Sequence, residues 1–292
     1  MITVSTDMLH AADHFIMREA RLLDRHRFAY HFQDGPVRPV RTSLEAYRNV
    51  DGGYGNGLHP DLRGHGSQPR AVLIALSILD ELGDMPGDTA DHIATYLTSI
   101  SRPAGGVPRV LPSARHTESA PWWREYDDYS ASLNPTGPLA GILHTHHVAH
   151  PWRDRATAFA WNALKVLFRV PAVDAVAICD FLDRVNDPVR ARAELDRLRP
   201  MIRSEIDFNP HSVGEAPKPL DLAPHPNHIA CALFTDEELE TALDGLVGAQ
   251  QADGGWPASK EAWCTAATAE WRGMRTVRAL CALRNFGRLD TV

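Results

Sequence analysis

Three carboxyl groups fall within four residues at Glu125-Tyr126-Asp127-Asp128. Like charges this close disfavour full ionisation, so one group can keep its proton at neutral pH and act as a general acid. Trp122, Trp123, Tyr126 and Tyr129 lie beside them, and aromatic faces attract cations. The same stretch also reads as a solvated acidic loop next to a tryptophan anchor.

A second constellation, Asp51, His59, Asp61, Arg63 and His65, sits in a glycine-rich loop. Loop residues on a rigid scaffold often carry function. Here they suit a polar head group, or a proton exchanged between His59 and Asp61. In the structural alternative Asp51 caps a turn and Arg63 pairs with an aspartate. His144, His146, His147 and His150 form a cluster near a helix end. His146 and His150 share a helix face, as do His144 and His147, but no glutamate completes a metal motif, and the macrodipole favours histidine there without a metal. No metal or other cofactor is expected. His211, His225 and His228 lie in a proline-rich segment that either connects helices or covers a cavity as a lid. No Gly-x-Ser-x-Gly, phosphate loop or dinucleotide fingerprint occurs, so serine-hydrolase, nucleotide and hydride chemistry lack support.

The elements that must hold these groups are helices. Residues 71–78 are apolar but for Ser77, which places this helix in the interior. Ser67 is its expected N-cap, Pro69 suits its first turn and Gly83 its end. Residues 6–30 carry the three-and-four spacing of an amphipathic helix. Further helices are expected over 89–100, 134–148 with Asn134 as cap, 152–168, 173–185, 188–202 after an Asp187 cap, and 262–286. Thr235 and Glu238 match a capping box before another. Between them, 103–133 and 207–228 are long loops; the first is aromatic and the second has five prolines. No segment alternates like a strand.

The chain has 292 residues, 44% of them hydrophobic, and a net charge of −7. That allows a large core, and with no break in composition the chain reads as a single domain, 1–292. Scattered basic residues argue against a nucleic-acid partner. No signal-like start or membrane-length apolar run is seen, so a cytoplasmic protein without an integral membrane segment is expected. Cys179, Cys231, Cys264 and Cys281 are widely spaced, with reduced thiols expected. Oligomeric state leaves no mark in the sequence.

Residues 246–257, LVGAQQADGGWP, echo 49–55, NVDGGYG. Leu246, Gln250, Gly255 and Trp256 resemble the QW motif of the terpenoid-cyclase and prenyltransferase repeat group. Asp51-Gly-Gly-Tyr54 resembles another copy with Asn49 in the glutamine place. Pro60-Asp-Leu-Arg63, Ser67-Gln-Pro69 and Asn134-Pro-Thr136 are similar to segments of bacterial repeat proteins of like size. This resemblance implies an all-α fold, an α/α toroid of about five to six helix pairs, with Gln250 and Trp256 tying helices together. Protein prenyltransferases hold zinc through Asp-x-Cys and a distant histidine, a pattern that neither Cys231 nor Cys264 completes. Class II terpenoid cyclases protonate an alkene or epoxide with the middle aspartate of Asp-x-Asp-Asp. The resemblance therefore implies Asp127 as donor, held by Glu125 and Asp128, acting on an apolar isoprenoid-type small molecule beside Trp122, Trp123, Tyr126 and Tyr129, while the loop residues His59, Asp61, Arg63 and His65 are the candidates to bind its polar end. A carbohydrate-active hydrolase or lyase, and a non-catalytic binding protein of the same fold, are the alternatives, because a fold does not fix a reaction.

Overall fold

A computed structural model describes residues 1–83, 85–212, 214–258 and 262–290. Among them the chain is all-α, with isolated bridges and no strand. In order, the helices begin with α1 (Thr6–Glu19), α2 (Leu22–Phe32), α3 (Val37–Glu45), α4 (Pro69–Glu81) and α5 (Gly87–Ile100). Next come α6 (Pro121–Arg124), α7 (Leu133–Thr145), α8 (Pro151–Lys165), α9 (Ala172–Arg184) and α10 (Pro188–Arg203). Last are α11 (Pro219–Leu222), α12 (Asp236–Gly248) and α13 (Thr265–Asn285). No helix of the described residues is long and apolar enough to cross a membrane.

The chain divides into two compact units, Met1–Ser43 with Glu205–Val292, and Leu44–Ser204. In the first, α1 packs on α2 and α13, and α12 on α11 and α13. Phe15, Ile16, Phe28, Trp256, Val277 and Leu280 form its buried centre. In the second, α7 packs against α4, α8 and α9, with α5 on α8 and α10 on α9.

Three loops share one backbone geometry and show why glycine recurs. Gly52, Gly105 and Gly254 have φ of +84°, +98° and +92°, which side chains resist. Each donates its N–H to the carbonyl three residues earlier, of Asn49, Arg102 or Gln251. Those residues in turn donate to the carbonyls of Gly53, Gly106 and Gly255. A Cβ at Gly52 would meet the His92 carbonyl oxygen of α5 at 2.6 Å, and one at Gly105 the Arg155 carbonyl oxygen of α8 at 2.9 Å. Gly254 presses still closer on Ala11 of α1. The second glycine of each pair faces the ring of Tyr96, Phe159 or Phe15. The Gly-Gly turn is thus a device for seating a loop on a helix backbone, and it occurs once more than the two Asp-Gly-Gly-aromatic copies indicate. Gln250 Nε2 donates to Met8 O at 2.8 Å and Gly254 O at 2.9 Å, and Trp256 Nε1 to Leu246 O at 2.7 Å. Both side chains hold the third loop in place.

Local signals fare unevenly. The Thr235 and Glu238 capping box forms, Asp187 caps α10, and Gly83 follows α4 with φ +64°. Ser67 does not cap α4, because its hydroxyl donates to Asp51 Oδ1 at 2.8 Å inside the glycine loop, leaving Gln68 at the cap position. Asn134 has non-helical angles ahead of the regular part of α7, and its amide donates to Val173 O at 2.6 Å rather than capping. The single helix expected over 6–30 is broken at Ala20. There Arg25 Nε takes the Ala20 carbonyl at 2.9 Å, and Arg21 and Arg27 turn onto the buried Asp24 at 2.9 and 2.8 Å.

Candidate functional site

The second unit gathers several predicted residues around the start of α4. The glycine loop and the 117–124 segment are stitched together: Ala120 N donates to Asp61 O at 2.9 Å and Arg63 N to Glu118 O at 2.8 Å. Gln68 adds a further tie, donating to Ser113 Oγ at 2.9 Å and accepting from Leu111 N at 2.8 Å. These bonds bring His59 and Asp61, both buried, alongside the short helix α6 that carries Trp123.

Arg70, the second residue of α4, is the hub. Its Nε donates to His59 Nε2 at 3.1 Å, and its guanidinium lies 5.3 Å from the centre of the Trp123 ring. The other ring nitrogen, His59 Nδ1, meets the Asp61 N–H at 3.2 Å, so the imidazole is held from both sides. Burial, followed by repulsion from Arg109, pulls Arg70 down from 12.5 to about 10, against the pull of Asp61, Tyr126 and Asp174. Burial pushes the Tyr126 hydroxyl up, against the pull of the nearby Arg109. Burial also raises the Asp174 carboxyl above the ordinary range despite Arg109 and Arg70 nearby. Asp174 lies in the first turn of α9, which the Asn134 amide fastens to α7 through Val173.

The cluster is incompletely satisfied. Arg70 Nη1, Arg109 Nε, Trp123 Nε1 and Asp174 Oδ1 are buried with no hydrogen-bond partner among the described residues. Buried polar atoms are normally paired, and an unpaired one destabilises the fold by about 1–3 kcal/mol. Three of these atoms are N–H donors, and Arg109 is near enough to repel Arg70; guanidinium forks match phosphate and carboxylate oxygens.

Tyr126 of the predicted acidic tetrapeptide belongs to this arrangement, but the carboxyl groups on either side of it face solvent. Glu125, Asp127 and Asp128 are all exposed. Asp128 Oδ1 accepts from Ser130 N at 3.0 Å and Ser130 Oγ at 2.5 Å, and these bonds hold its carboxyl below the usual aspartate range. All three carboxyl groups thus face water and not the wall of a cavity.

The aromatic residues divide. Trp123 and Tyr126 meet edge to face with centroids 5.5 Å apart, and Tyr126 meets Tyr129 at 6.4 Å. The Tyr129 hydroxyl donates to Tyr126 O at 2.8 Å, and Arg115 stacks over its ring. Trp122 is half-buried in the same helix. In the glycine loop Asp51 is a turn residue, accepting from Gly53 N at 2.9 Å as well as from Ser67. Exposed His65 contacts Asn56 Oδ1 at 3.3 Å, and Arg63 is half-buried.

The histidines of the 144–150 stretch have separate partners. His146 meets Asp80 at 2.8 Å, His144 meets Thr157 at 2.9 Å, and His150 caps α8 through Trp152 N at 3.1 Å. In the first unit His228 caps a 3-10 turn through Ala230 N at 3.2 Å and stands edge to face with His225.

Sequence reasoning missed Arg70, Arg109 and Asp174. Each had a visible signal, as a lone charge in an apolar run: Arg70 ahead of AVLIAL, Arg109 within GVPRVLP and Asp174 within PAVDAVAI.

No family model matches the chain, and no curated protein does. The fold is shared with a solved structure. A crystal structure of a protein from Actinoplanes is similar to this chain with a TM-score of 0.61, over 96% of this chain and 99% of that one, at 15% identity. At that identity the likeness speaks to the fold alone.

Proposed function

We propose that the second unit binds a small organic anion, a phosphate- or carboxylate-bearing molecule, between Arg70 and Arg109. The supporting observation is the set of buried N–H donors on Arg70, Arg109 and Trp123 that lack partners. The ligand's charged oxygens take these donors, and its apolar body lies against Trp123 and Tyr126. An isoprenoid-type substrate fits this reading as a prenyl diphosphate, the head group on the guanidinium pair. Two adjacent guanidinium charges repel a carbocation, so an anion is the better guest.

A second reading keeps protonation as the chemistry. It is favoured by Asp174, whose burial raises its carboxyl and whose Oδ1 is free to face a ligand. Under it Asp174, and not Asp127, transfers the proton, acting on a substrate anchored by its anionic group. The α/α toroid belongs to the same set of proposals, supported by the three equivalent glycine loops.

Calorimetric titration with pyrophosphate, geranyl diphosphate and geraniol tests the main reading. Binding of both anions, lost in Arg70→Met and Arg109→Met, supports it. Equal binding of geraniol and geranyl diphosphate, or unchanged binding in both variants, would overturn it.

A further inference from the structure

The first unit contains a separate cavity of about 140 Å³. Its walls are a face of α12 and a face of α13. Ala242, Gly245, Leu246 and Ala249 follow the 3, 4 and 7 spacing of one helical stripe, and Arg275, Arg278, Ala279 and Ala282 follow it on the other. Small residues on facing stripes keep the side chains from meeting, and the space between them is the cavity. Trp256, held by its bond to Leu246 O, lines it as well. The segment following α10 closes it through Phe208, Pro210 and Leu220, with Pro210 seated on Gly245 where any Cβ would collide.

The charges around this cavity do not cancel. Lys218 pairs with Asp207 at 3.1 Å and Arg275 with Asp221 at 3.1 Å. The exposed Arg278 donates to the Asp221 backbone carbonyl at 3.1 Å and joins Arg275 in pulling on the Asp221 carboxyl, so three cations, Lys218, Arg275 and Arg278, line the cavity against two carboxylates, Asp207 and Asp221. An apolar pocket with one cation left over selects an apolar body bearing a single negative charge. The size fits a ring or a short branched chain, since an apolar cavity of roughly 150 Å³ accepts benzene.

We infer that this cavity is a binding site for a small apolar carboxylic acid, its body between α12 and α13 and its carboxylate toward Arg278. It is independent of the Arg70 site, so either can fail without the other.

Phenylacetate and its uncharged counterpart benzyl alcohol, titrated against the full chain with Trp256 fluorescence and calorimetry as readouts, test the inference. Phenylacetate is expected to bind more tightly than benzyl alcohol. Ala279→Leu, which fills the cavity, should weaken both by at least about 10-fold without lowering the melting temperature. Arg278→Gln, a surface change that leaves the core intact, should weaken phenylacetate by about 3- to 5-fold and leave benzyl alcohol unchanged. Absence of binding at millimolar concentration, or Ala279→Leu binding as the parent does, removes the site. Equal affinities for acid and alcohol, or an Arg278→Gln variant indifferent to the charge, overturns the assignment to acids.

Discussion

Replacing Arg70 with methionine should make the ligand-free protein more stable while destroying its anion site. The guanidinium titrates near 10 where 12.5 is ordinary. At about 1.4 kcal/mol for each tenfold change, holding that charge in the fold costs about 3 kcal/mol. The sign follows from a lowered folded-state value: the penalty is fully present below pH 10 and is relieved only as the pH rises toward 12.5. Methionine removes it and fills a similar volume. Against this stand the loss of the bond to His59 and of the stacking on Trp123, each worth about 1 kcal/mol. The net gain is therefore about 1 kcal/mol, a rise of roughly 2–4 °C in melting temperature for a chain of this size. Differential scanning calorimetry of parent and Arg70→Met, with and without pyrophosphate, measures both sides of the trade. Pyrophosphate should raise the melting temperature of the parent only. A variant destabilised by more than about 2 kcal/mol that still responds to pyrophosphate would refute the reasoning, because Arg70 would then be a structural residue.

Asp174→Asn should tighten pyrophosphate binding several-fold in the same titration, since it takes a negative charge from beside two guanidinium groups; unchanged binding would show that the carboxyl already holds a proton, as the second reading requires. Gly254→Ala should destabilise the first unit by about 3 kcal/mol or more through positive φ and collision with Ala11, whereas Gly83→Ala, with φ +64° and open space around it, should lose only about 1 kcal/mol in urea unfolding. Asp253, held by two Arg272 bonds at 2.7 and 2.8 Å, titrates below the ordinary aspartate range. The stability it adds is present above the unfolded value and is lost as the pH falls through the lowered folded one, so Asp253→Asn should flatten the acid limb of a stability profile below about pH 5.

What the sequence made legible follows the range of the forces involved. Features set within one turn of chain could be read directly, such as the Thr235 and Glu238 box, the Asp187 cap and the apolar 71–78 stretch that becomes the buried part of α4. The glycine loops were legible because positive φ selects glycine wherever it occurs. Ser67 was misjudged because a hydroxyl near a helix start can serve the cap or the preceding loop, and Asp51, sixteen positions away, claims it. The exposure of the acidic tetrapeptide was not legible for a related reason: four adjacent residues do not say which way their loop faces. At the candidate site, His59, Asp61, Trp123 and Tyr126 were identified from loop chemistry. The groups that define its charge, Arg70, Arg109 and Asp174, come from three distant segments, and only packing assembles them.

The central claim is an anion held between Arg70 and Arg109, and a crystal structure of the protein soaked with pyrophosphate addresses it most directly. Density for the anion within hydrogen-bond distance of Arg70 Nη1 and Arg109 Nε is the predicted result. Pyrophosphate absent from these two atoms at a concentration that saturates the calorimetric signal would contradict it.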